Sequence, residues 1–267
     1  MTPNYLYRLR ITKLLNDIQT ALTNFDPDAI HDVRVSIRRM IALNSILRNA
    51  GTAPYSKKEL KILKNKFRRA GLLRDIQIQN QLLDTWEKKL ELTFDMYRTN
   101  LNRREKLLRG HFARAFRTIN LKRSIPDNAR RSAVCAEIQK VLENSYHDFI
   151  EKSKGGHPLH PLRITAKKLK YTLEIQQACF PGFGPTENFR KYLAHIQDLL
   201  GSWHDVEMAM QSVNGFIKRN SPKLTDPGHY GLLLALMEKE KETVLSEVDK
   251  ELGREVPLKE HVLVVLT

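Results

Sequence analysis

The chain has 267 residues, 41% of them hydrophobic, with 12 glycines, 11 prolines and a formal net charge of +15. That length holds one large domain or two modest ones, with enough apolar side chains for a real core. Two cysteines without a CxxC pair exclude a disulfide framework and a thiolate zinc site, and no run of eighteen apolar residues exists to span a membrane.

The N-terminal stretch MTPNYLYRLRITKLLNDIQ lacks the apolar core and small-residue cleavage site of a secretory leader, so a cytoplasmic protein is expected. Glycine and proline gather at GTAP (51–54), SIPDN (124–128), GGHP (155–158), PGFGP (181–185) and DPG (226–228). The long stretches between are rich in Leu, Lys, Arg, Glu, Gln and Ala, all good helix formers. Runs of β-branched residues with period-two alternation are absent apart from HVLVVLT at the C-terminus, so an all-α domain is expected.

The first helix with clear boundaries spans DPDAIHDVRVSIRRMIALNSILRNAG, with Asp26 as N-cap, Pro27 at the first helical position and Gly51 as the stop. At about 100° per residue, His31, Arg34 and Arg38 fall within roughly 60° of one another. Val33, Ile37 and Met40 form the opposite, core-facing side, and Arg39 sits on the shoulder. The next stretches carry most of the charge: KKELKILKNKFRR at 57–69, and residues 98–123, where nine cations meet only Glu105. Residues 1–125 hold 26 Lys and Arg against 11 Asp and Glu; residues 126–267 hold 19 of each. So concentrated an excess costs stability by self-repulsion and points to a polyanion that neutralises it; the plain alternative is a basic surface kept for solubility.

Beyond the break at 124–128 the pattern returns. HPLRITAKK at 160–168 repeats HDVRVSIRR at 31–39, 129 positions on. His160, Arg163, Lys167 and Tyr171 share one face with Lys168 and Lys170 beside it, while Leu162, Ala166, Leu169 and Leu173 form the apolar stripe. Pro161 fits a first helical turn, whose amides are free in any case. A second repeat aligns FRRAGLLRDIQIQNQLL (67–83) with IQDLLGSWHDVEMAMQSV (196–213), placing Gly71, Arg74 and Asp75 opposite Gly201, His204 and Asp205. A glycine shortly before a basic-acidic pair suggests a helix break, with Asp75 and Asp205 each capping the next helix. The two repeats together imply an internal duplication: two antiparallel helical bundles, residues 1–125 and 126–267, related by a pseudo-twofold axis.

The paired H-x-x-R-x-x-x-(R/K)-(R/K) helices, each followed by a glycine and a basic-Asp pair at the next helix start, resemble the CHAD domain, the conserved-histidine α-helical domain. The resemblance runs from about residue 5 to about residue 250, departing in having Leu200 where the first half has Ala70, and His204 before Asp205. It implies two four-helix bundles around a basic central cavity that binds inorganic polyphosphate without catalysis. Some members of the family carry a fused tunnel-type triphosphatase; this sequence has no strand-rich segment of that kind.

Polyphosphate suits such residues. It is a flexible anion of high charge density without bases, met by arginine forks and mobile lysines along a track. Histidines add neutral N–H donors and gain charge in a polyanion's field. On this reading the two ladders face each other across one groove. Lys64, Arg68, Arg69 and Arg74, with Arg103, Arg104, Arg109 and Arg114, line its approach. Each residue has a plainer alternative: His31 and His160 as cap partners, Arg74 in an ion pair with a carboxylate, Tyr171 covering a lysine stem. His111, His147, His157, His195, His229 and His261 share no spacing and are assigned no role.

Two other classes compete. A nucleic-acid binder fits the charge, but aromatic content is 7% and neither an RNA-binding motif nor aromatic interleaving occurs in the basic runs. A metal site or enzyme is disfavoured because cations occupy the positions beside each ladder histidine, and no HExxH, EF-hand, GxxxxGK[ST] or GxSxG motif is present. The expected protein is a binding module with no cofactor, no metal and no membrane partner, located in the cytoplasm, on polyphosphate granules as the resemblance implies.

Overall fold

The computed structural model describes residues 2–52, 54–119, 121, 131–154, 158–181, 187–224 and 226–254. Among these, regular structure is helical throughout: α1 (Pro3–Asn24), α2 (Pro27–Asn49), α3 (Lys57–Leu90), α4 (Asp95–Phe116), α5 (Arg131–Ser153), α6 (Leu159–Cys179), α7 (Glu187–Asn220), a short 3-10 turn (Ser221–Lys223) and α8 (Pro227–Leu252). The all-α expectation holds. The break at 124–128 and the C-terminal HVLVVLT lie outside the described residues.

Local chemistry sets the helix starts. Asp26 caps α2 by accepting from the amides of Asp28 and Ala29 at 2.9 and 3.2 Å, and Pro27 opens the helix. Gly51, just past its end, has φ +75°, where a side chain would be strained. Ser56 and Glu59 close a reciprocal capping box on α3, with bonds of 3.2 and 2.8 Å. Pro161 sits in the first turn of α6, where no intrahelical amide is lost.

Sequential helices pack on one another through three apolar cores. The first joins α1, α2, the N-terminal half of α3 and the C-terminal end of α4, with Val33, Ile37 and Met40 fully buried. It extends to Val134 and Ile138 of α5 and to Ile175 and Cys179 of α6. A corresponding core in the second half gathers α5, α6, the start of α7 and the end of α8 around Phe149, Leu169, Phe189 and Ile196. The third belongs to both halves: Trp86 of α3, Phe94 and Tyr97 around the start of α4, Phe216 of α7, and Tyr230 and Met237 of α8.

The long helices α3 and α7 therefore each run through two cores. Both have 34 residues, and they begin 130 residues apart. At 1.5 Å per residue each is about 50 Å long. Neither breaks at its glycine, contrary to the sequence expectation: Gly71 and Asp75 lie within α3, Gly201 and Asp205 within α7, and none of the four is a cap.

The reason is tertiary. A Cβ on Gly71 would stand 2.9 Å from an Arg34 guanidinium nitrogen, so glycine lets α2 lay that arginine against α3. At Gly201 the corresponding space is open.

Candidate functional site

α2, α3, α6 and α7 enclose a cavity of about 480 Å³. α1 braces α2 from behind: Asp17 accepts from Ser36 at 2.5 Å and from Lys13 at 2.5 Å, and Arg10 donates to the Arg39 carbonyl at 2.8 Å. With its apolar face in the core, α2 presents His31, Arg34, Arg38 and Arg39 to the cavity. α6 contributes Arg163, Lys167, Lys170, Tyr171 and Glu174; α3 adds Arg74 and Asp75, and α7 adds His204 and Asp205 among others. The two ladders predicted from sequence thus come together in one space.

The arginines of α2 are held firmly. Arg34 reaches Asp75 at 3.2 Å. Its guanidinium also lies 5.3 Å from the Phe67 ring centroid, and that of Arg38 lies 4.9 Å from the same ring and 5.9 Å from Tyr171. Such placement over an aromatic face attracts and orients a guanidinium. Arg39 grips Glu174 with both ends of its fork, at 2.7 and 3.0 Å, tying α2 to α6. Across the cavity, Gln197 of α7 donates to the Ala166 carbonyl of α6 at 3.0 Å.

Other donors lack a protein acceptor. Arg74 keeps two buried guanidinium nitrogens, and Arg163 one, without any hydrogen-bond partner among the described residues. Leaving such groups unsatisfied is costly, and an oxyanion in the cavity would satisfy them. The ion pair considered for Arg74 is not formed among the described residues.

The field is strongly positive. Lys167 is pushed down to about 7, first by burial and then by Arg38, Arg163 and Arg34. His204 falls to about 4, again by burial first and then by Arg163, Lys167 and His160, whose ring centroid is 6.0 Å away. Burial also lowers His31, with Arg74 adding to the effect. Arg34 and Arg163 shift down for the same leading reason. Asp205 is raised by burial, although Arg163 opposes the shift. Both His31 and His204 are therefore neutral at pH 7, each with one N–H to donate.

Several expected residues stand elsewhere. Lys168 is exposed, off the cavity face of α6, and His160 flanks the cavity through His204. Lys64 and Arg68 are exposed in the N-terminal part of α3, roughly on its cavity side. Arg103 is exposed on α4, and Arg104 reaches Ser212 of α7 at 3.3 Å. Arg109 is occupied by Glu105 at 2.6 Å, and Arg69 with Arg114 lines a separate pocket.

Sequence reading misses the cavity's carboxylates and its aromatic support. Asp75 and Asp205 resemble caps, although their recurrence 130 residues apart alongside the ladders marks them as part of the same repeat. Glu174 lies seven residues after Lys167 and hence on the same face of α6, a signal present in the spacing. Nothing in the sequence distinguishes Phe67 as a guanidinium platform.

Among the described residues, no cluster of His, Cys, Asp and Glu is arranged to hold a metal ion, and no helix is long and apolar enough to cross a membrane.

A comparison with curated proteins found no match. The fold is similar to the crystal structure of the CHAD domain from the plant Ricinus communis, with a TM-score of 0.65 and 14% identity over 97% of this chain and 96% of that one. It is also similar to PptA from Streptomyces chartreusis, with a TM-score of 0.62 and 14% identity over 93% and 96%. At that identity the likeness speaks for the fold alone. The sequence itself matches the model of the CHAD domain over residues 8–214, a span that takes in both ladders and the cavity-lining residues of all four helices, and the chain belongs to that family.

Proposed function

We propose that the cavity binds inorganic polyphosphate and that the protein is a binding module rather than an enzyme. The observation that carries this reading is the meeting of the two ladders. Seven cationic residues from α2, α3 and α6 line one cavity with four carboxylates, and Arg74 and Arg163 keep buried donors unanswered. Arg34 and Arg39 are engaged by Asp75 and Glu174, which leaves Arg38, Arg74, Arg163, Lys167 and Lys170 to meet successive phosphoryl groups. Membership of the CHAD family supports the same ligand. A chain of bare phosphates needs neither stacking platforms nor base-edge donors, and the cavity's two aromatic supports are occupied by its own arginines. On this reading the protein acts in the cytoplasm and gathers on polyphosphate granules.

The test is a titration with long-chain polyphosphate, single-stranded DNA, RNA and duplex DNA at matched phosphate concentration over several salt concentrations. Polyphosphate binding is expected to survive salt that strips the nucleic acids. Equal affinities falling together with salt would instead mark a generic basic surface and overturn the reading.

A further inference from the structure

None of the described cations of residues 57–69 and 98–123 lines the cavity. On α3 the residues that line the cavity are Arg74, Asp75 and Ile78, whereas Ile62, Asn65, Lys66 and Arg69 lie roughly 180° away at 100° per residue. This outer face and the last turns of α4 form a second, open pocket of about 620 Å³. Its charged walls are Lys66 and Arg69 on one side and Arg114 on the other, with His111 beside Arg114. No carboxylate is among its described lining residues, and none of these cations has an ion-pair partner among them.

The floor of the pocket is held by contacts between its two helices. The Lys66 ammonium donates to the Ala115 carbonyl and lies 5.5 Å from the Phe116 ring centroid, pinning α3 to α4 beneath the pocket. Burial is the main cause of a downward shift at Lys66, and the neighbouring Arg69 adds to it.

We propose that this α3–α4 pocket is a second phosphate-polymer site, separate from the cavity, which holds another segment of polyphosphate on the outside of the molecule. The shape selects the class of ligand. Cations on both walls, from two neighbouring helices, offer a flexible strand of phosphates contacts on either side. Its described lining residues include no Phe, Tyr or Trp on which the bases of a nucleic acid would stack. One long chain can then engage two sites on a protein, or two proteins through different sites. Bridging of this kind raises apparent affinity for long chains far more than for short ones.

The proposal rests on polyphosphate being the ligand of the cavity, and the test separates the two ideas. Arg69 and Arg114 are exposed, so R69S/R114S leaves the packing untouched. Tripolyphosphate, long-chain polyphosphate, RNA and duplex DNA are titrated calorimetrically into the wild type, into R69S/R114S and into the cavity variant R38S/K167S. Two tripolyphosphate sites are expected in the wild type and one in each variant. Long-chain affinity should fall about a hundredfold in R69S/R114S as bridging is lost. A single site in the wild type, unchanged in R69S/R114S, would overturn the outer site and leave the cavity reading standing. Loss of RNA or duplex DNA binding in R69S/R114S with polyphosphate unaffected would also overturn it, by making this face a nucleic-acid surface. Absence of polyphosphate binding in all three proteins would overturn the cavity reading and the outer site together.

Discussion

The two ladders share their spacing but not their support. In the first half Arg34 and Arg38 rest on Phe67, Arg34 is pinned to Asp75 across Gly71, and Arg39 is locked by Glu174. In the second half the position matching Phe67 is Gln197, which bonds the α6 backbone instead, and Gly201 faces open space. Arg163 keeps a buried donor free, and Lys167 stands where the first half has Arg38. A shared pattern of residues thus yields one rack of fixed, permanent charges and one set whose charge answers to its surroundings.

The comparison breaks most directly by disarming one side at a time. R34Q/R38Q and R163Q/K167Q should each weaken polyphosphate binding by about a hundredfold, the first by removing the Arg38 contact together with the Arg34 charge beside it, the second by removing two charge-assisted contacts. Unchanged far-ultraviolet circular dichroism would show that the helices persist. A large loss from the first pair with none from the second would reduce the α6 ladder to a structural element.

A smaller effect sharpens the contrast between Arg38 and Lys167. The free lysine titrates at about 7, and a bound polyanion favours its charged form and raises that value. Affinity should therefore be highest below pH 7 and fall about tenfold as pH rises through 7 towards 9, with proton uptake on binding across that range. K167R should flatten the profile, since arginine stays charged throughout. The same shift makes a stability statement. The unfolded chain holds the Lys167 proton up to about 10.4, so it binds more protons than the native state above 7, and native stability should rise with pH across that window.

The smallest effects come from the glycines. G201A adds a methyl group into open space within a helix and should stabilise the protein by about 0.5–1 kcal/mol, read as a higher melting temperature. G71A gains the same helix propensity but must displace the Arg34 guanidinium, so it should lower polyphosphate affinity about threefold with little gain in melting temperature. Equal behaviour of the two variants would mean that the contact between Arg34 and Gly71 has no bearing on the site.

The helical class, the α2 cap at Asp26 and Pro27, the buried stripes of α2 and α6 and the meeting of the ladders are all legible in the sequence, because each rests on periodicity or on a local stop signal. What escapes depends on a second helix. Glycine in a helical pattern commonly signals a break, yet Gly71 answers to an arginine 37 positions earlier in the chain. The charge runs are legible as charge but not as faces. Arg69 and Arg68 are neighbours in sequence, and only the packing of α3 against α2 and α4 sends one towards an outer pocket and leaves the other on the cavity side. Arg109 looks like a free cation until Glu105 is seen to hold it.

The core shared by α3, α4, α7 and α8 bears on how the cavity meets its ligand. Two of the four cavity helices continue without interruption into that core, where Trp86, Phe216 and Tyr230 lock them together. Widening the cavity would mean prying those rings apart, so it is a rigid socket and not a jaw. Its arginines are already oriented before any anion arrives, and little reorganisation is spent on capture. Binding should then be a single kinetic step whose rate follows electrostatic attraction and ionic strength, with no slower phase of closure behind it.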